Sequence, residues 1–180
     1  MNGTIYTASA PPGSTPGDIA GRGALDARTA YNTLAALPGG IDLGSDQLGG
    51  RTLAPGIYRA AGGSYQITGS DLTLDAQGDA NAVWVFQMAS SLTVGGPGAA
   101  FPQSVILTNG AQAKNVFWQV GSAATINAGG GGIMVGTIIA EAGAAFSTAG
   151  NVTLTTLNGR ALGLNASVTV VNTLINIPAP

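Results

Sequence analysis

The sequence predicts a mainly β protein, a β-solenoid with one α-helix packed alongside. Three observations carry that prediction. First, the chain repeats itself: VFWQVGSAATI from Val116, TIIAEAGAAFS from Thr137 and RALGLNASVTV from Arg160 each join an apolar strand to a small-residue corner and a second short strand. An upstream copy, VFQMASSLTV from Val85 to Val94, matches Phe117 to Ile126 almost position for position. Degenerate repeats of roughly 20 residues built from β-formers mark a coil whose turns bury their inner faces only by stacking. Second, strand signals are dense from Ile57 onward and are separated by short runs of Gly, Ser, Ala, Asn and Asp, as corners require. Third, charged residues are only 8% of the chain while 45% is hydrophobic, so the surface must be dressed mostly in neutral polar and small side chains.

Taken in order, the chain reads as one domain, 1–180. A β-like piece, Thr4-Ile5-Tyr6-Thr7, comes first, and the stiff connector Pro11 to Gly17 follows it. The helix is expected over about 18–37, capped by Asp18 or Thr15 and stopped by Pro38-Gly39-Gly40. Ala20, Ala24, Ala27, Tyr31 and Leu34 form its apolar stripe, with Arg22, Asp26, Thr29 and Thr33 on the opposite side. One stripe and no helical partner place it against the solenoid.

Residues 39–56 read as a loop, after which the strands begin. Leu72-Thr-Leu74 and Val152-Thr-Leu-Thr155 alternate, with aliphatics expected inward and Thr outward; in Ser104 to Thr108 the inward set is Val105 and Leu107. Val83-Trp-Val-Phe and Val116-Phe-Trp are apolar at consecutive positions, the pattern of a face covered on both sides. The helix is the natural cover. Residues 95–102 and 110–114 read as protruding corners.

Several function classes are set aside by composition. The net charge is −2 and the six basic residues are scattered singly, which gives no footprint for nucleic acid. With neither Cys nor His, thiolate metal sites and the common nucleophile–base pairs lack their parts. Only Asp71, Asp75 and Asp79 cluster; they read first as a turn, then as a weak Ca²⁺ loop with Asn81, and last as a glycosidase pair. No enzyme, cofactor or metal is expected. The most apolar run, 133–146, is interrupted by Glu141 and too short for a membrane span, so a soluble protein is expected. Met1-Asn-Gly-Thr is no signal peptide and reads as the start of a mature or trimmed chain.

The chain resembles the DUF3494 ice-binding family, microbial antifreeze proteins with a discontinuous β-solenoid. The resemblance rests on Gly3-Thr-Ile-Tyr-Thr7, Ala30-Tyr-Asn32, Leu53-Ala-Pro-Gly-Ile-Tyr58, Leu72-Thr-Leu-Asp-Ala-Gln-Gly-Asp79 and Asn81-Ala-Val-Trp-Val-Phe-Gln87, in chain order. Asn115 to Gly121, Gly136 to Ala140 and Leu157 to Leu162 continue it. It implies a right-handed β-solenoid of triangular cross-section with a flanking helix, ice binding on one flat face, a secreted protein, and an ice surface as partner; a monomer is expected. Members usually carry Cys where this chain has Lys114, and usually have further strand before the segment matching Gly3. Some members carry Thr/Ser–Ala/Gly–x–Thr/Asn at the corner entering the ice face; Thr148-Ala-Gly-Asn151 fits it and Thr68-Gly-Ser70-Asp71 fits loosely.

On this basis the ice face is expected on Leu72 to Leu74, Ser104 to Thr108, Val152 to Thr155 and the strand near Thr173. Thr73, Ser104, Ile106, Thr108, Thr153, Thr155 and Thr173 are expected outward, with Thr68, Ser70, Thr148 and Asn151 at the entering corners. Met134 or Ile133 should interrupt the Thr pattern. The rival reading is a secreted adhesive or polysaccharide-binding solenoid, which would want exposed aromatics, whereas Trp84 and Trp118 lie in strands read as buried.

Overall fold

The computed structural model describes residues 15–96, 101–148 and 150–178. A helix, α1 (Thr15–Ala36), precedes β1 (Thr52–Leu53), β2 (Gly56–Arg59), β3 (Tyr65–Ile67), β4 (Leu72–Asp75), β5 (Trp84–Met88), β6 (Leu92–Val94) and β7 (Val105–Thr108). A 3-10 turn, η1 (Ala113–Asn115), leads into β8 (Val116–Val120), β9 (Ala124–Ile126), β10 (Ile133–Ala140), β11 (Ala144–Phe146), β12 (Thr155–Gly163), β13 (Val168–Val170) and β14 (Thr173–Asn176). Every ladder between these strands is parallel.

The sheet orders resolve into a three-sided coil. The first face stacks β2, β5, β8 and the second halves of β10 and β12; the second stacks β3, β6, β9, β11 and β13. The third takes β1, β4 and β7, then the first halves of β10 and β12, and finally β14. The two long strands pass from the third face to the first at Gly136 and Gly159, which pair in register. Only glycine fits there: a Cβ on Gly159 would lie 1.8 Å from the Gly136 carbonyl oxygen, and Gly136 itself sits at φ +95.

The repeats of the sequence are the turns of this coil, with one correction. Thr137 pairs with Phe117 rather than Val116, so that turn takes 20 residues rather than 21, and Val85 pairs with Phe117 as the sequence copies require. Close stacking fixes the small corners: a Cβ on Gly121 would stand 2.2 Å from the Ala89 carbonyl oxygen of the turn before.

Inside, the register sets Tyr58, Phe86 and Trp118 one above another. Phe86 and Trp118 stack at 4.1 Å and 9°, Tyr58 stacks on Phe86 at 5.5 Å, and Tyr65 meets Phe86 edge-on. Offset and edge-on contacts of this kind add about 0.5–1.5 kcal/mol each to the area they bury. Both indoles are fully buried and spend their N–H groups on the wall, Trp84 on the Leu53 carbonyl and Trp118 on that of Val135.

The helix covers the outward side of the first face, as its single stripe requires. Val85 and Ile139 point outward yet are 4% and 2% exposed. Gln87 Nε2 donates to the carbonyls of Leu34 and Leu37, satisfying the helix C-terminus that Pro38 leaves open. Arg28 pairs with Glu141 and donates to Asn165 Oδ1, and its guanidinium lies 5.9 Å from the Tyr31 ring centre. Ala20, Ala27, Tyr31 and Leu34 of the expected stripe are half-buried, but Ala24 is exposed. Val83 is likewise 43% exposed, because the covered strand begins only at Trp84.

Two corner expectations change. Residues 110–114 do not protrude: Gln112 and Asn115 both donate to the Ala80 carbonyl, folding this corner onto the preceding one. Of 95–102, residues 97–100 lie outside the described residues, as does the Thr4–Thr7 piece.

Candidate functional site: the third face of the coil

Two faces remain uncovered, and the third carries most of the residues singled out from sequence. Alternation along β4 buries Leu72 and Leu74 and turns Thr73 out; along β7 it buries Val105 and turns Ile106 out. The register places Thr52, Thr73 and Ile106 side by side, and beyond β7 it aligns Ile133, Thr156 and Leu174. The result is two in-register rows of outward side chains, Thr52-Thr73-Ile106 and Ile133-Thr156-Leu174, at one residue per turn within each. Six strands at ~4.8 Å spacing make the face about 24 Å high.

Both rows are uncharged, and the nearby carboxylates are occupied at their rim. Asp71 Oδ1 accepts from Ser104 N at 2.7 Å. Asp75 accepts from Gln77 N and from Asn109 Nδ2, which hold its carboxyl below the ordinary carboxylate range. Asp79 accepts from Asn81 N. Asp75 and Asp79 are thus bonded within the turn that was the first of the readings the sequence allowed, while Asp71 ties two successive turns of the coil together. The hydroxyls of Thr52, Thr73 and Thr156 have no protein partner among the described residues, so they face solvent with their hydrogen-bonding capacity intact.

The face has a seam. No backbone ladder joins β7 to β10. Side chains bridge the gap instead: Ser104 Oγ accepts from Ile133 N, while Asn127 receives Gln103 N on Oδ1 and donates Nδ2 to the carbonyls of Gln103 and Gly131. Asn127 is 1% exposed and adopts φ 44, a left-handed conformation that Asn tolerates better than most residues. The sequence carried a signal for this group, an Asn before four consecutive Gly, but it gave no hint of the Gln103 partner.

The structure sorts the expected site residues into three groups. Thr73, Ser104, Ile106 and Thr108 come together on β4 and β7, although Ser104 spends its hydroxyl on the seam and Thr108 donates to the Leu74 carbonyl. Thr68, Ser70, Thr148 and Asn151 sit at corners. Thr68 accepts from Gln47 Nε2, Ser70 is exposed, and Asn151 Nδ2 ties Thr148 Oγ1 and the Ala128 carbonyl together across two turns.

The third group needs correction. The strand expected at Val152 begins at Thr155, and a shift of start reverses which residues face in. Val152 and Leu154, expected inward, are 90% and 49% exposed, while Thr155 is fully buried with no partner for its hydroxyl. Thr173 pairs with Thr155 and shares its inward parity, donating to the Val171 carbonyl. Thr153 is exposed, but in the irregular residues ahead of β12, where it lies against Gly131. Thr52, Ile133, Thr156 and Leu174 take their places, and Ile133, not Met134, is the outward interruption.

The second face is narrower, with one outward residue on each short strand: Gln66, Thr93, Thr125, Ala145 and Thr169 in register. It too is uncharged.

A parallel three-sided solenoid, splinted by one helix and open on a neutral face of repeating Thr and aliphatic side chains, defines the structural class. The family model described as ice-binding-like matches residues 1–176, and the chain belongs to that family. It is 41% identical over 170 residues to the ice-binding protein of Nostoc sp. (strain HG1), a match spanning 94% of this chain and 55% of the relative. The crystal structure of the ice-binding protein from the Antarctic ascomycete Antarctomyces psychrotrophicus superposes with a TM-score of 0.78 at 36% identity, covering 91% of this chain and 73% of that one. The DUF3494 domain of Shewanella frigidimarina ice-binding protein 1 gives a TM-score of 0.78 at 27% identity, over 97% and 69%. The chain thus spans about half the length of the Nostoc relative. Among the described residues, no helix is long and apolar enough to cross a membrane.

Proposed function

We propose that the chain adsorbs to ice through the third face and thereby inhibits ice growth and recrystallisation. The observation that carries this is the pair of rows Thr52-Thr73-Ile106 and Ile133-Thr156-Leu174: methyl-bearing side chains at a fixed repeat within each row on a rigid backbone, interspersed with unpartnered hydroxyls and free of charge. Water against such a row is held by hydroxyls at regular intervals and caged by the methyls between them, whereas charged groups would orient it around themselves. A water layer ordered in this way merges with a lattice at little further entropic cost. Once pinned, the ice front must bulge between adsorbed molecules, and a convex front melts at a lower temperature.

The partner in this reading is the ice surface, the acting unit is a monomer, and the site of action is outside the cell, where ice forms first. The sugar-binding alternative has weaker support, since Trp84 and Trp118 are sealed in the core and bonded to carbonyls there. No catalytic role is proposed.

The test compares two folded variants as ice crystals grow in dilute solution. Thr73→Tyr keeps a β-former in an outward position and should change stability by no more than about 1 kcal/mol. Its ring stands above the row, and the crystals should revert from facets to discs. Thr125→Tyr makes the same change on the second face and should leave faceting intact. Faceting that survives Thr73→Tyr and fails in Thr125→Tyr would move the site to the second face; survival in both would end the proposal for either.

A further inference from the structure

The third face is built differently from the other two. β8 pairs with both β5 and β10, and β9 with both β6 and β11, so the first and second faces run unbroken through the middle of the coil. On the third face the ladders stop at β7 and resume at β10. The break falls between the rows Thr52-Thr73-Ile106 and Ile133-Thr156-Leu174, and Ile106 and Ile133 flank it, 39% and 42% exposed. A ladder fixes the spacing of its strands through the backbone. Here that task passes to side chains.

At the entry to the face those side chains form a relay across three successive turns. Asp71, ahead of β4, accepts on Oδ1 from Ser104 N at 2.7 Å, and Ser104, ahead of β7, accepts on Oγ from Ile133 N at 3.1 Å, where β10 begins. The Ser104 carbonyl also accepts from Leu72 N at 3.0 Å, so the backbone of Ser104 is anchored on the β4 side and its hydroxyl is left for the far row. Asn127 secures the buried side of the same break. The Ser104–Ile133 bond, by contrast, is exposed, so water can replace it at little cost to the fold. It governs where the second row lies, while the unbroken faces hold the coil together.

We propose that Ser104 is a positioning residue for the third face: through Ile133 N it holds the row Ile133-Thr156-Leu174 at a fixed offset from the row Thr52-Thr73-Ile106, so that one ice plane meets both at once. The proposal rests on the reading of this face as the ice site. Either row alone is a small contact. Two rows on one rigid frame act as linked sites, the second engaging at the high effective concentration that the first confers. A loose break removes that advantage, because the second row must then be ordered on the ice at each encounter. The hydroxyl of Ser104, expected from sequence to touch ice, thus serves through a neighbour.

Ser104→Ala and Ser104→Thr are compared with wild type and with Thr73→Tyr by amide exchange at Ile133, by Tm, and by the lowest protein concentration that facets ice. Ser104→Ala should exchange the Ile133 amide about ten-fold faster, shift Tm by no more than about 3 °C, and need roughly ten-fold more protein to facet. Ser104→Thr keeps the Oγ acceptor and should restore slow exchange and faceting together. Faceting by Ser104→Ala at the wild-type concentration would overturn the proposal. So would unchanged Ile133 exchange, the result for a hydroxyl that only touches ice, and so would a Tm loss beyond about 10 °C, which would make Ser104 structural. In each of these cases the third face stands as the site provided that Thr73→Tyr reverts the crystals to discs. A Thr73→Tyr protein that still facets removes the face itself, and the proposal with it.

Discussion

Asn127→Ala removes the side chain that bridges the seam in the third face. The wild-type amide makes three hydrogen bonds of 2.9–3.0 Å to Gln103 N, Gln103 O and Gly131 O, all in a site that is 1% exposed. Alanine leaves those three backbone groups without partners, at about 1–3 kcal/mol for each group that water fails to reach. It must also hold φ 44, which costs a non-Gly, non-Asn residue about 1 kcal/mol more. A total of about 4 kcal/mol is expected, lowering Tm by roughly 10 °C for a domain of this size. Asn127→Gly separates the causes, since it relieves the backbone while losing the same bonds, so it should recover about 1 kcal/mol and no more. Calorimetry measures both, and amide exchange at Ile133, held by Ser104 Oγ across the same seam, reads the local opening. An Asn127→Ala protein that melts within 2 °C of wild type would refute the reasoning, because it would mean that these bonds are replaced without cost.

Three further outcomes are expected. Thr155→Val keeps shape and deletes a buried hydroxyl that has no partner, so stability should rise by about 1 kcal/mol; a loss in calorimetry would show that the hydroxyl is satisfied in solution. Gly159→Ala forces a Cβ against the Gly136 backbone and should yield little folded protein, judged by soluble expression and near-ultraviolet dichroism. The carboxyl of Glu141 is held below its ordinary range first by the hydrogen bond from Arg28. Its folded pKa is therefore lower than its unfolded one, so this clamp contributes fully above the unfolded value, near pH 4.3, and fades as pH falls through the folded value. Tm measured between about pH 6 and pH 2 should drop more steeply for wild type than for Arg28→Ala; parallel curves would count against the clamp.

Much of this architecture was legible in the sequence, and where it was not the reasons are physical. Copies such as Val85 to Val94 and Phe117 to Ile126 are readable because each turn must place the same residue type against the same residue of its neighbour. Consecutive apolar residues at Trp84 to Phe86 announced a doubly covered strand, and the helix stripe supplied the cover. The third face was legible at β4 and β7, where alternation begins cleanly. It failed at Thr155 and Thr173 because alternation gives the period of a strand and not its phase; the phase is set by the corner at Thr148 to Asn151, whose hydrogen bonds are tertiary. The seam escaped for the same reason, since Asn127 and Gln103 meet only once two turns have stacked.

The inward column that runs Tyr58, Phe86, Trp118, Ile138, Ala161 does not keep one girth. Three rings fill the early turns of this column, and then a branched aliphatic and finally a methyl follow, so the column thins toward the last turn. In a linear array each rung is held by its neighbours alone, and contact area per rung sets how strongly they are coupled. Along this column the ring end is therefore the more strongly coupled end. Heat should fray the molecule from the Ala161 side toward the rings, in that direction and not the reverse. The helix reaches across the gradient, anchored at Gln87 beside the rings and at Glu141 and Asn165 beside the narrow turns, and lends the thin end the rigidity of the thick one.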